Sequence, residues 1–130
     1  MLGHRILIAD DEPHIRNLLR RLLLSEGFCV CEAGDGYEAL AAVDACEVSV
    51  IVMDMLMPGM NGSEAILSLR TNPRFASTPI LIITGHTGLR PQQWADPRSD
   101  IQVLTKPLNL DQVLTTVHQL VQAAEVVQVA

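Results

Sequence analysis

The sequence predicts an α/β domain: a five-stranded parallel sheet doubly wound by helices, with a short or irregular fourth helix. Three observations lead there. Five short apolar segments rich in Ile and Val alternate with helix-period patterns, and such near-continuous hydrophobicity is what strands buried on both faces require. Right-handed crossovers between consecutive strands then place helices on both sides of the sheet. The chain has 130 residues, which at roughly 150 residues per domain is one unit of this kind.

The first strand is Arg5 to Ala9. Pro13 suits the first turn of the helix after it, whose apolar face carries Ile15, Leu18, Leu19, Leu22 and Leu23. Arg16, Arg20 and Arg21 lie off that face and read as solvated. Phe28 to Ala33 is the second strand, opened by Gly27, and Gly36 to Cys46 the second helix. Val48 to Met53 forms the third strand. Asn61, with Glu64 three residues on, caps a helix running to Arg70. Pro79 to Ile83 is the fourth strand, after which Gly85, Gly88, Pro91 and Pro97 leave room for little more than a helical turn before Asp100. Ile101 to Thr105 completes the sheet. The last helix shows Leu110, Val113, Leu114, Val117, Leu120 and Val121 on one face after an Asn109–Gln112 capping pair. Residues 1–124 form the domain, and 125–130, with the run Val126-Val127-Gln128-Val129, read as a tail or the start of a linker.

Composition removes several function classes. With 48% hydrophobic and 18% charged residues the chain is not disordered. A net charge of -6 argues against direct nucleic-acid binding by this domain. No signal-peptide pattern and no apolar run near the roughly 20 residues of a membrane helix occur, so a cytoplasmic protein without membrane contact is expected. Three cysteines, Cys29, Cys31 and Cys46, fit a reducing compartment and read as buried thiols.

Ligands of open parallel sheets bind outside the carboxyl ends of the strands. There the sequence places Asp10, Asp11 and Glu12 after the first strand, Asp54 after the third, Thr84 after the fourth and Lys106 after the fifth. Lys106 is the only lysine in the chain. Carboxylates gathered at one edge stay ionised only if cations compensate. An all-oxygen set suits Mg²⁺, and Lys106 supplies a second positive charge. A metal, an ammonium and a hydroxyl around one carboxylate are the parts of phosphoryl transfer, with Asp54 as the candidate nucleophile. Glu12 alone reads better as a solvated strand end or helix cap.

These residues sit in motifs that resemble the receiver domain of two-component response regulators, from Arg5 to about Ala124. The matching stretches are Ile6-Leu7-Ile8-Ala9-Asp10-Asp11-Glu12-Pro13, Glu32-Ala33-Gly34-Asp35-Gly36-Tyr37-Glu38-Ala39-Leu40, Asp54 through Gly62, Pro79-Ile80 through Thr84, and Lys106-Pro107. The resemblance implies a flavodoxin-like strand order 2-1-3-4-5. It implies that a histidine kinase or histidine phosphotransfer protein passes a phosphoryl group to Asp54, and that a fused or separate output domain reads the result. It further implies Mg²⁺ bound by Asp11, Asp54 and the backbone carbonyl of Leu56, with Asp10 acting through water. Thr84 would move toward the phosphoryl group, Lys106 would pair with it, and the Lys106–Pro107 bond would be cis. Such a domain is a phosphoacceptor that catalyses only its own phosphorylation and dephosphorylation.

The chain departs from the family pattern at three places, two of which, Val103 and the Pro97–Asp100 segment, fall on the readout side. Val103 stands where a Tyr or Phe is common, Asn61 replaces a frequent Asp, and Pro97-Arg98-Ser99-Asp100 replaces an Ala-Gly-Ala segment. Without the aromatic, the loop after Thr84 and the sole tryptophan, Trp94, are a candidate moving surface, the plainer reading being that Trp94 packs against the domain, and His86 either reaches the site mouth or is an exposed loop residue. Leu56 occupies the position where an aspartyl-phosphate hydrolase needs its second acid. Asp10, Asp11 and Glu12 would repel the phosphate of a flavin. The alternative reading is a receiver-fold interaction module that acts independently of phosphorylation.

Overall fold

The computed structural model describes residues 3–85 and 100–129, with side chains to residue 124. Its elements are β1 (Arg5–Ala9), α1 (Pro13–Ser25), β2 (Cys29–Ala33), α2 (Gly36–Ala45), β3 (Val50–Asp54), α3 (Gly62–Thr71), β4 (Ile80–Thr84), β5 (Ile101–Thr105) and α4 (Leu110–Val129). The strands form one parallel sheet in the order β2-β1-β3-β4-β5. The short helix expected after β4 falls on residues 86–99 with His86 and Trp94, outside the described residues.

Alternation along the strands divides the core in two. Ile6, Ile8, Val50, Val52, Leu81 and Ile83 face Leu19 and Leu23 of α1 and Val113, Val117 and Val121 of α4. Leu7, Ile51, Met53, Ile80 and Ile82 face Ala39 and Val43 of α2 and Ala65, Ile66 and Leu69 of α3. Both faces of the central strands are therefore covered, as their unbroken hydrophobicity requires.

Local signals fix the joints. α1 ends where Gly27, at φ 90°, takes the left-handed conformation, with Gly27 N–H bonding Leu24 O and Phe28 N–H bonding Leu23 O, the Schellman arrangement. Asn61 and Glu64 form the expected capping box on α3, and Asn109 accepts from the Gln112 N–H before α4. Strand ends differ from the hydropathy pattern. β3 starts at Val50 rather than Val48 and includes Asp54, and β4 includes Thr84, because ladder bonds continue past the last apolar residue. Leu18 is 41% exposed rather than part of the core face. Cys29 is exposed and Cys31 only partly buried because β2 is a sheet edge, and Cys46, at the C-cap of α2, is also only partly buried; all three are free thiols.

Candidate functional site: an acidic cluster closed by Lys106

Parallel register brings the functional side chains to one end of the sheet. Asp54 lies opposite Ile83 on β4, so Asp54 and Thr84 finish adjacent strands. Asp10 follows β1 and donates its backbone N–H to Ala33 O at 3.0 Å, which ties the acidic loop to the end of β2. Lys106 N–H donates to Thr84 O at 2.8 Å and carries the lysine over the end of β4. The Lys106–Pro107 peptide is cis, as the resemblance implies.

Lys106 Nζ lies 3.0 Å from Asp54 Oδ2, 3.7 Å from Asp10 Oδ2 and 3.9 Å from Glu12 Oε1. One carboxylate oxygen each from Asp10, Asp11 and Asp54 falls within 4.8 Å of the others. Among the described residues, the buried polar or charged ones are Asp10, Asp54 and Thr84, all in this cluster. Buried polar groups oppose folding unless partnered, so their gathering at one strand edge makes this the candidate site.

Backbone bonds hold the acids in place. Asp10 Oδ1 accepts the Glu12 N–H at 2.8 Å, and Asp54 Oδ1 accepts the Leu56 N–H at 3.1 Å. Burial pushes the Asp10 carboxyl above the usual aspartate range; the carboxylates of Asp54 and Glu12 add to this, while the Glu12 N–H and Lys106 oppose it. Burial draws the Lys106 ammonium down, but its bond to Asp54 and the surrounding carboxylates outweigh that and leave it above the ordinary lysine value. One ammonium therefore serves several carboxylates, and the cluster retains an excess of negative charge. A hard divalent cation answers both the excess charge and the all-oxygen donor set.

Each candidate residue can now be placed. Asp10, Asp11, Asp54 and Lys106 converge, Thr84 ends the adjacent β4 and accepts the Lys106 N–H on its carbonyl, and Leu56 meets Asp54 through its backbone while the residue is 57% exposed. Glu12 occupies the N-cap position of α1 yet makes no side-chain cap bond, so its carboxylate belongs to the Lys106 environment rather than to the helix. Arg16, read as solvated, instead donates to Asp10 O at 2.6 Å. Its position in the first turns of α1 is the missed signal, because long helical side chains lie back over the preceding turn.

Residues 6–118 match the family described as the response regulator receiver domain. The transcriptional regulatory protein TcrA of Mycobacterium tuberculosis is 35% identical over 118 residues, which are 91% of this chain and 46% of TcrA. Protein PilG of Pseudomonas aeruginosa is 30% identical over 112 residues, covering 86% of this chain and 83% of PilG. The response regulator TrrA of Thermotoga maritima, solved in complex with Mg²⁺ and BeF, superposes with a TM-score of 0.78 at 30% identity, over 90% of this chain and 98% of that one. The chain thus spans about half the length of TcrA and most of PilG. With an acidic cluster and its lysine at the carboxyl edge of a 2-1-3-4-5 sheet and with these relatives, the chain belongs to the receiver domain family of two-component response regulators.

Proposed function

We propose that the domain accepts a phosphoryl group on Asp54 from a phosphohistidine of a histidine kinase or histidine phosphotransfer protein, and changes conformation as a result. The observation that carries this reading is the Asp54 carboxylate, 5% exposed, held 3.0 Å from the only lysine at the end of a central strand. An Asp54 oxygen forms the new bond to phosphorus as the P–N bond breaks. The electron pair of that bond stays on the imidazole, which leaves neutral because its other ring nitrogen carries a proton. Lys106 then faces the phosphoryl oxygens, and the Thr84 hydroxyl supplies a donor from β4.

Asp11 and Asp54, with the Leu56 carbonyl, would hold Mg²⁺ directly and Asp10 would hold it through water. The ion supplies positive charge against the phosphoryl oxygens. The Mg²⁺–BeF complex of TrrA supports Mg²⁺ binding at a site of this kind. The domain acts as a phosphoacceptor rather than on a separate substrate, works in the cytoplasm, and signals to an output domain, fused as part of a longer chain or separate. The receiver domain would occupy residues 1–124, with the last helix continuing without a break to Val129. Among the described residues, no helix is long and apolar enough to cross a membrane.

Incubation with acetyl phosphate and Mg²⁺ should add one phosphoryl group, acid-stable and base-labile, to the wild-type chain and none to Asp54→Asn. Equal labelling of the variant overturns the assignment. A second reading, a partner-binding module indifferent to phosphorylation, rests on Val103: this half-buried residue packs against the α2/α3 side of the core and offers no ring to rotate. Partner affinity that is the same with and without phosphoryl group would favour it.

A further inference from the structure

Arg16 reaches the acidic loop from outside the acid cluster. Its Nη1 donates to the carbonyl oxygen of Asp10 at 2.6 Å. Its Nε lies 3.6 Å from Glu32 Oε1 on β2, and the side chain is only 24% exposed. Gly34 leaves the space for it: a Cβ there would stand 3.3 Å from Nη1. The N–H of Asp10 is already held by Ala33 O at 3.0 Å. Both backbone polar groups of Asp10 are therefore fixed, one by the end of β2 and the other by Arg16.

The carbonyl that Arg16 holds belongs to the peptide joining Asp10 to Asp11. Rotation of that peptide redirects the chain at Asp11, whose exposed carboxylate must stay within 4.8 Å of those of Asp10 and Asp54 for the cluster to exist. We infer that Arg16 is a positioning residue for divalent-cation binding: it clamps the Asp10–Asp11 peptide against β2 and so sets the affinity of the acidic cluster. The inference rests on the metal site proposed above. A planar guanidinium suits the task because Nη1 can donate to Asp10 O while Nε on another edge faces the Glu32 carboxylate as an ion pair at 3.6 Å, where a lysine ammonium acts as a single point. Arg20 provides the internal comparison, since its Nε lies 3.9 Å from Glu32 Oε2 while its Nη2 donates to Asn17 Oδ1 on the same helix rather than to the acidic loop.

The test is Mn²⁺ binding by the whole chain, followed by the electron paramagnetic resonance of the free ion, together with the amide shift of Asp11 before metal is added. Arg16→Gln should weaken binding about tenfold, the lower end of the loss typical when a group that orients a metal ligand is removed. It should also shift the metal-free Asp11 amide. Arg16→Lys, which keeps the stem and the charge, should weaken binding as well, and Arg20→Gln should not. Wild-type affinity in either folded Arg16 variant overturns the clamp, and should Arg16→Gln fail to fold, Arg16→Lys decides. Equal Mn²⁺ binding by wild type and Asp11→Asn overturns the metal site itself and this inference with it. Loss in Asp11→Asn beside unchanged affinity in both Arg16 variants overturns the clamp alone.

Discussion

Oδ2 of Asp54 lies 3.0 Å from the Lys106 ammonium, while Oδ1 of the same carboxylate accepts the Leu56 N–H at 3.1 Å. Both oxygens of the proposed phosphoacceptor are thus engaged by charge-assisted bonds, which fix its plane at the strand end. The arrangement ties the charge balance of the apo fold to the residue that would face the phosphoryl group.

Removing the ammonium should therefore be felt before any chemistry occurs. Lys106→Ala leaves Asp10 and Asp54, 2% and 5% exposed, without their shared cation, and loss of one member of a buried charged pair destabilises by a few kcal/mol. The lysine retains some solvent access, so a loss of about 2 kcal/mol is expected in urea unfolding. Mg²⁺ should restore part of it by replacing the missing charge. An unchanged midpoint in metal-free buffer would contradict the role given to Lys106.

Acid titration gives a second check. Burial raises the Asp10 carboxyl above its ordinary value, so on acidification the folded chain takes up this proton before the unfolded chain does. Its contribution to stability grows as pH falls from the raised value toward the ordinary aspartate value of about 3.9, and is lost as pH climbs back through the raised value. Lys106 is also raised: its contribution is complete below the ordinary lysine value of about 10.4 and is lost as pH rises through the folded value. Asp10→Asn keeps an acceptor for the Glu12 N–H and should raise the metal-free urea midpoint at neutral pH while removing the acid-side slope. A variant curve parallel to wild type from pH 4 to 7 would show that Asp10 does not carry it.

Hydropathy and turn chemistry made the sheet, the helix caps and the convergence of Asp10, Asp11, Asp54, Thr84 and Lys106 legible from sequence, because each follows from which strand end a residue terminates. Exposure was less legible. α1 has more leucines than one face can bury, so Leu18 and Leu24 remain 41% and 47% exposed. Cys29 lies open because β2 is an edge, a fact of strand order that composition does not carry. Arg16 looked solvated because helical periodicity assigns faces but not the backward reach of a long side chain.

The turn after β3 supplies a packing test. A Cβ on Gly62 would stand 2.8 Å from Asp54 O and from Met55 Cα and 2.7 Å from Met55 Sδ. Two of those neighbours are backbone and cannot swing aside. Overpacking of this kind costs about 1–3 kcal/mol, so Gly62→Ala should lose stability in that range and slow Asp54 phosphorylation by displacing the turn. Gly85→Ala is the control, because its Cβ would meet only Lys106 Cδ and Cβ at 3.6 and 3.7 Å. Its stability should stay within about 0.5 kcal/mol of wild type. Equal unfolding midpoints for the two variants would refute the contact argument.

The last prediction concerns how occupancy of Asp54 is read. Val103 pairs with Ile82 on β4, is half-buried, and packs into the core, so β5 carries no ring there to swing. Thr84 ends β4, is 1% exposed, and accepts the Lys106 N–H on its carbonyl at 2.8 Å. It therefore shares a backbone bond with the residue proposed to face the phosphoryl group, and its hydroxyl could then follow new acceptor oxygens while Gly85, next in the chain, accommodates the backbone change. Trp94, the only tryptophan, follows in sequence and reports on the segment after β4 through its emission. Beryllofluoride with Mg²⁺ should change that emission in the wild-type chain. Thr84→Ala should still bind beryllofluoride, as followed by fluorine resonance, yet show no emission change, because the donor that links the occupied site to the segment is gone. An emission change of the same size in Thr84→Ala would mean that the signal leaves Asp54 by another path. No change in either protein, with Asp54 demonstrably occupied, would favour the phosphorylation-independent module.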